Sequence, residues 1–186
     1  MRFSSFWRRQ RQPDAAHLLY VRLVAQARRP EFYRDLEVPD SLDGRFDMIA
    51  LHAFLLLRRL KDAGAEGRIL AQAVFDALFD DMDNALREMG VADLGVGKRI
   101  KAMAKGLYGR IDAYERGLAA GEAATGEALR RNLYGTVAPS PAVLAAMAGY
   151  LRREAEALES AENSDIFAAK WHFGAPPAPV SGAKSV

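Results

Sequence analysis

Apolar residues recur every three or four positions along most of the chain, and nowhere does a strict polar–apolar alternation mark a strand. The spacing predicts a first helix starting at Pro13-Asp14, with Leu18, Leu19, Leu23 and Ala27 on its apolar side. It ends near Arg28-Arg29, where Pro30 stops it. A short helix is expected over Glu31 to Leu36. Pro39 then imposes a turn, and Gly44 opens a central helix reaching about Asp62. Its Phe46, Ile49, Ala53, Leu57 and Leu60 form one stripe, while Met48, Leu51 and Leu55 form another. So wide an apolar surface implies burial on most sides.

Gly64 and Gly67 are read as the next connection. Phe75, Leu78, Phe79, Met82, Leu86 and Met89 then keep helical spacing, and Gly90 sits where a terminating glycine belongs. The other surface of this helix carries Asp76, Asp80, Asp83 and Arg87. A fifth helix is expected from Leu94 to Leu118, with Asp93 as its N-cap and Ile100, Met103, Leu107, Ile111, Tyr114 and Leu118 inward. Gly121 and Gly126 mark a loop before a short helix over Glu127 to Tyr134. Ser140-Pro141 starts the last long helix, which runs to Glu159 and buries Leu144, Met147, Leu151 and Leu158. Trp171 and Phe173 are expected to dock on the helical body. The fold class is therefore all-α: a single irregular helical domain of six or seven helices over 14–173. A basic N-terminal tail (1–13) and a disordered C-terminal tail (174–186) flank it.

Composition narrows the function. The 186 residues are half apolar, with 26 basic against 24 acidic side chains and a net charge of +2, so a nucleic-acid footprint over the whole surface is absent. There is no cysteine, which excludes disulfides, thiolate nucleophiles and Cys-based zinc sites and fits a reducing compartment. The apolar run from Ile49 to Leu57 is too short to cross a bilayer, which takes about 20 residues. The N-terminus lacks the hydrophobic segment of a secretory signal. Its Arg2, Phe3, Phe6, Trp7, Arg8, Arg9 and Arg11 allow three readings: a disordered basic tail, contact with anionic lipid headgroups, or a transit peptide.

No catalytic pattern emerges. His17, His52 and His172 are far apart, and His52 inside the apolar run reads as a hydrogen-bonded core residue. Asp76, Asp80, Asp81 and Asp83 lack the Glu-x-x-His partners of a ferritin-like site and read as a solvated face, with Asp83 and Arg87 paired at i,i+4. Gly95-Val96-Gly97-Lys98-Arg99 superficially resembles a phosphate loop. However, Ala92 stands where the first glycine is needed, and Arg99 stands in place of Ser or Thr. The cations from Lys98 to Arg110 remain, either as a solvated helix face or as a surface for a polyanion such as lipid headgroups or RNA.

Four blocks carry a family resemblance. The first is Leu19-Tyr20, Val24-Ala25-Gln26-Ala27-Arg28 and Phe32-Tyr33. The second is Val38-Pro39-Asp40, Gly44-Arg45-Phe46-Asp47 and Leu51-His52. The third is Phe79-Asp80-Asp81-Met82-Asp83, Leu86 to Val91, Asp93, Lys98 and Lys101-Ala102-Met103. The fourth is Tyr108-Gly109-Arg110 with Tyr114. In this order they resemble the ubiquinol–cytochrome c chaperone family, in its bacterial form.

The resemblance implies a non-enzymatic assembly factor that binds newly made cytochrome b for the bc1 complex. No cofactor, metal or DNA partner is expected. Mitochondrial members work with a small partner protein and associate with the ribosome. A cytoplasmic protein is expected, and the basic N-terminus, which lies outside the resemblance, suits the cytoplasmic face of the inner membrane. The contact candidates are Asp81, Asp83, Arg87, Glu88, Asp93, Lys98, Lys101, Gly109, Arg110 and Tyr114. Structural roles compete for some of these blocks: Gly90 as a helix cap, Tyr114 as core, and Arg45 with Asp47 as an ion pair at the helix start. The alternative from another class is a helical nucleic-acid-binding regulator using the Lys98–Arg110 face.

Overall fold

The computed structural model describes residues 4–179, with side chains from Asp14 onward apart from Leu94. Its described secondary structure is entirely helical: α1 (Ser4–Ala27), α2 (Pro30–Arg34), α3 (Leu42–Lys61), α4 (Gly64–Glu88), α5 (Asp93–Ala120), α6 (Glu122–Asn132), α7 (Pro141–Ser160) and α8 (Asn163–Phe167). Two of the eight are only five residues long, so the all-α expectation holds with six long helices.

Helix α3 forms the axis and packs against α1, α4, α5 and α7. Every residue from Met48 to Leu56 is buried, so neighbours surround this helix on all sides. Full burial of a Leu, Ile or Phe side chain contributes about 2 kcal/mol, which makes this one helix a major source of stability. Its N-terminus is closed by Ser41, whose hydroxyl accepts from the Gly44 N–H at 3.1 Å.

Several boundaries differ from the expected ones. Helix α1 begins at Ser4, so Pro13 lies inside it; proline removes one N–H from the ladder without ending the helix here. Gly64 and Gly67 belong to α4, leaving Asp62-Ala63 as the whole α3–α4 connection. Gly67 is where the two helices meet: a Cβ there would lie 2.3 Å from the Leu60 carbonyl oxygen. Gly126 lies within α6, which starts at Glu122. Asp93 is the first helical residue of α5, and Ala92 holds the N-cap position with no side-chain cap. Ser140 caps α7 as expected, accepting from the Val143 N–H at 3.3 Å.

The C-terminal end of α7 is held by α3. Arg59 donates to the Leu158 carbonyl at 2.7 Å, which also accepts from the Ala161 N–H, and to the Ala161 carbonyl at 2.8 Å just past the helix end. Beyond α8 the chain turns back as an extended strap. The Trp171 carbonyl accepts from Arg22, and the Gly174 carbonyl accepts from Gln26 at 2.7 Å. The Gly174 N–H donates to buried Glu154 at 2.8 Å, and Arg153 reaches the Ala175 carbonyl. The segment placed by sequence at the start of a tail is therefore tied down at its first two residues.

Under the strap lies a closed polar chain. His52 is fully buried, and its Nδ1–H donates to the Met48 carbonyl at 2.8 Å. That fixes Nε2 as the acceptor, 2.8 Å from the Tyr150 hydroxyl, which itself accepts from Gln26 at 2.9 Å. Phe32 and Phe173 present edges to the imidazole. Burial lowers the His52 pKa to about 4, so the ring is neutral. The core role expected for His52 is what the structure shows.

Candidate partner-binding site

Two of the sequence blocks meet where the start of α3 faces the middle of α5. Asp47 Oδ1 lies 2.5 Å from Arg110 Nη2, with both side chains largely buried. The Arg110 guanidinium also stands over the Phe46 ring, 5.7 Å from its centroid. The expected pairing of Arg45 with Asp47 is not formed. Arg45 bonds Asp40 at 2.7 Å instead, because residues two apart on a helix point to different sides.

Beside this pair opens a cleft of about 230 Å³, walled by Pro39, Asp43, Phe46, Asp47, Arg110 and Arg131. Its polar atoms are incompletely matched. Arg110 donates through Nη1 to Gly106 of its own helix, while Arg110 Nε has no hydrogen-bond partner among the described residues. The hydroxyl of Tyr114, one turn further along α5, is likewise buried without one. Desolvation pushes the Asp47 carboxyl up to about 6 despite the adjacent guanidinium, and burial raises Tyr114 as well. What the cleft itself presents is charge of both signs, Asp43 and Asp47 beside Arg110 and Arg131, which suits a polar group that both donates and accepts, such as a peptide edge.

A second cluster forms the α4–α5 corner. Helix α4 ends in a Schellman motif: the Gly90 N–H reaches the Arg87 carbonyl, the Val91 N–H reaches the Leu86 carbonyl, and Gly90 adopts φ +80°. Arg87 bonds Asp83 at 2.5 Å and also Asp93 across the turn, which clasps the two helices. Asp81 accepts from the Tyr20 hydroxyl at 2.6 Å, tying α4 to α1.

The structure thus brings Asp83, Arg87 and Asp93 together at the corner and separates them from Arg110 at the cleft, while Tyr114 is fully buried in the core, the structural role that competed for it in the sequence. Asp81 is joined to α1. Glu88, Lys98, Lys101 and Gly109 are exposed. Arg110 leaves the basic face assigned to Lys98–Arg110, because Asp47 draws it inward. Arg2 and Phe3 lie outside the described residues, as do the side chains of Phe6, Trp7, Arg8, Arg9 and Arg11. Asp47 and Phe46 were quoted in a sequence block without a contact role. Their link to Arg110 spans sixty-odd residues and leaves no local signal.

Among the described residues no group of three or more His, Asp or Glu side chains is placed to hold a metal, and no helix is long and apolar enough to cross a membrane. Large apolar side chains exposed on the outer faces include Leu18 and Val21 of α1, Ile69 of α4 and Tyr108 of α5.

Comparison with known proteins places this architecture. A crystal structure of the Cbp3 homolog from Brucella abortus superposes with a TM-score of 0.82 at 32% identity, covering 94% of this chain and 97% of that one. Ubiquinol-cytochrome-c reductase complex assembly factor 1 of Xenopus laevis is 24% identical over 152 residues, 82% of this chain and 76% of the relative. The Homo sapiens protein of the same name is also 24% identical over 152 residues, and the chain spans about half (51%) of its length. Protein CBP3 of Saccharomyces cerevisiae mitochondria is 30% identical over 107 residues, 56% of this chain and 32% of the relative. The family model described as ubiquinol-cytochrome C chaperone matches residues 34–173, which take in the α3 start, both clusters and the strap as far as Phe173. The chain belongs to the ubiquinol–cytochrome c chaperone family.

Proposed function

We propose that this chain is a non-enzymatic assembly chaperone that binds newly made cytochrome b and promotes its incorporation into ubiquinol–cytochrome c reductase. The observation that carries the proposal is the family match over 34–173, in relatives named for assembly of that complex. The chemistry of the α3–α5 cleft supports a role in contacting polypeptide. It offers charges of both signs, Asp43 and Asp47 with Arg110 and Arg131, suited to a polar backbone edge or amide side chain. The chaperone unit is residues 14–173. Within it the contact candidates are Asp81, Asp83, Arg87, Glu88, Asp93, Lys98, Lys101, Gly109, Arg110 and Tyr114, of which Asp83, Arg87 and Asp93 belong to the α4–α5 corner and Arg110 to the cleft. A small partner protein and the ribosome are further partners of this reading, and its place of work is the cytoplasmic face of the inner membrane.

Deletion of the gene, followed by haem spectra and immunoblots of cytochrome b, tests the proposal. Loss of cytochrome b and of reductase activity is expected, with restoration by the intact gene. A normal level of assembled complex in the deletion strain rejects it. A photo-crosslinking residue placed at Thr136, on the cleft rim, is expected to capture cytochrome b. Capture only from the far end of α4 moves the contact away from the cleft.

A further inference from the structure

The first half of α5 carries positive charge that no ion pair among the described residues engages. Residues 94–109 include Lys98, Arg99, Lys101 and Lys105 and no carboxylate. Lys98, Lys101 and Lys105 fall at i, i+3 and i+7, with Tyr108 three residues further on, so they share one edge of the helix. All four side chains are exposed. The opposite side of α5 is its packed face, where Val96, Leu107 and Tyr114 are buried.

The contrast with the arginines is informative. Those at 29, 34, 45, 58, 87, 110, 116, 130, 131, 152 and 153 all pair with carboxylates. The three lysines have no ion-pair partner among the described residues. The nearest acids along the helix are already engaged, Asp93 with Arg87 and Asp112 with Arg116. Asp76 and Asp80 are exposed on α4, and Asp76 accepts from Gln72 of its own helix at 2.7 Å. Tyr108 is 59% exposed and packs on Phe75, with ring centroids 5.7 Å apart, so its ring is braced while its hydroxyl end stays at the surface.

We infer that the Lys98–Lys101–Lys105 edge of α5, with Tyr108 at its end, is a docking surface for the anionic headgroups of a lipid bilayer. Lysine is a mobile point charge suited to a diffuse anionic layer, whereas ordered phosphates favour the arginine fork. One convex helix edge with a single exposed aromatic matches a flat surface. It offers neither the groove nor the row of stacking rings that single-stranded nucleic acid requires. The inference extends the proposed function by stating how the chaperone faces the membrane that receives its client, but its test contains no client.

The test uses the purified full-length chain and vesicles of phosphatidylcholine with roughly one-third phosphatidylglycerol, read by co-sedimentation over a salt series. Binding at low salt and release at high salt are expected. A basic residue near such a surface contributes about fivefold in affinity, so K98Q/K101Q/K105Q is expected to bind roughly 100-fold more weakly. Glutamine keeps helix propensity, and an unchanged circular dichroism spectrum establishes that this variant is folded. Three results overturn the inference: undiminished vesicle binding by the folded triple variant, complete loss of binding in R2Q/R8Q/R9Q/R11Q with the lysines intact, or a preference for single-stranded RNA over vesicles at equal salt. A deletion strain with normal cytochrome b would reject the chaperone reading and leave the vesicle result standing.

Discussion

The carboxylate of Asp47 lies 2.5 Å from the guanidinium of Arg110, joining the first turns of α3 to the middle of α5 at the edge of a polar cleft. Both side chains are largely shielded from water, so neither is well served by solvent if the other is removed. Arg110→Met is expected to cost about 2 kcal/mol at neutral pH. The double variant D47N/R110M should recover at least about 1 kcal/mol of the summed single losses. Urea unfolding of the four proteins gives the coupling, and strict additivity would show that the pair is incidental. Because burial raises the Asp47 pKa, the cost of R110M alone should shrink on acidification to pH 5, where a neutral carboxyl no longer requires a cation.

His52 predicts a pH dependence of the opposite sign. Its folded pKa, lowered to about 4 by burial, lies below the ordinary imidazole value of 6.5. The unfolded chain therefore takes up the proton first as pH falls. The stability that neutral His52 contributes is intact above about pH 6.5 and is lost progressively towards pH 4. Between pH 7 and pH 5 the loss amounts to about 2 kcal/mol. Asp47 gains stability over part of the same window, so the quantity to measure is the difference between wild type and His52→Gln. The glutamine can both donate to Met48 and accept from Tyr150 but cannot titrate. Parallel stability–pH curves for the two proteins would refute the assignment.

Two glycines of the α4–α5 region should respond to alanine in opposite directions. Gly90 holds φ +80° with open space around it, so Gly90→Ala is opposed by backbone strain alone and should destabilise by about 1 kcal/mol. Gly97 lies inside α5 with nothing within 4 Å of an added Cβ, so Gly97→Ala should stabilise by about 0.5–1 kcal/mol. Thermal unfolding of the two variants side by side reads the signs directly.

Gly67→Ala is a steric test of the α3–α4 hairpin. The added methyl would sit 2.3 Å from the Leu60 carbonyl oxygen and 2.6 Å from the Ala63 Cβ, so main chain must move. A loss of at least about 3 kcal/mol, or failure to fold, is expected. Wild-type stability in this variant would mean that the two helices are further apart than described.

The parts of this fold that were legible in the sequence are those determined by neighbours along the chain. The α3 stripe, the Ser140 cap, the glycine stop at Gly90 and the Asp83–Arg87 pair each depend on residues a few positions apart. Partnerships across the fold were not legible. Arg45 stood closest to Asp47 in sequence yet faces another side of the helix, while the true partner is sixty-three positions on. The Tyr20–Asp81 bond and the capture of the α7 end by Arg59 arise in the same way. Helix starts were misplaced where a proline or glycine suggested a boundary that the helix runs through, as at Pro13, Gly67 and Gly126.

The bond between Gln26 and Gly174 spans 148 residues and connects the end of α1 to the strap that follows α8. During synthesis, Gln26 and the cavity around His52 must wait for that segment to emerge from the ribosome. Until it does, a nascent copy has its His52–Tyr150 pair and the edge of Phe32 not yet covered by Phe173, and arrival of the strap is the event that seals them.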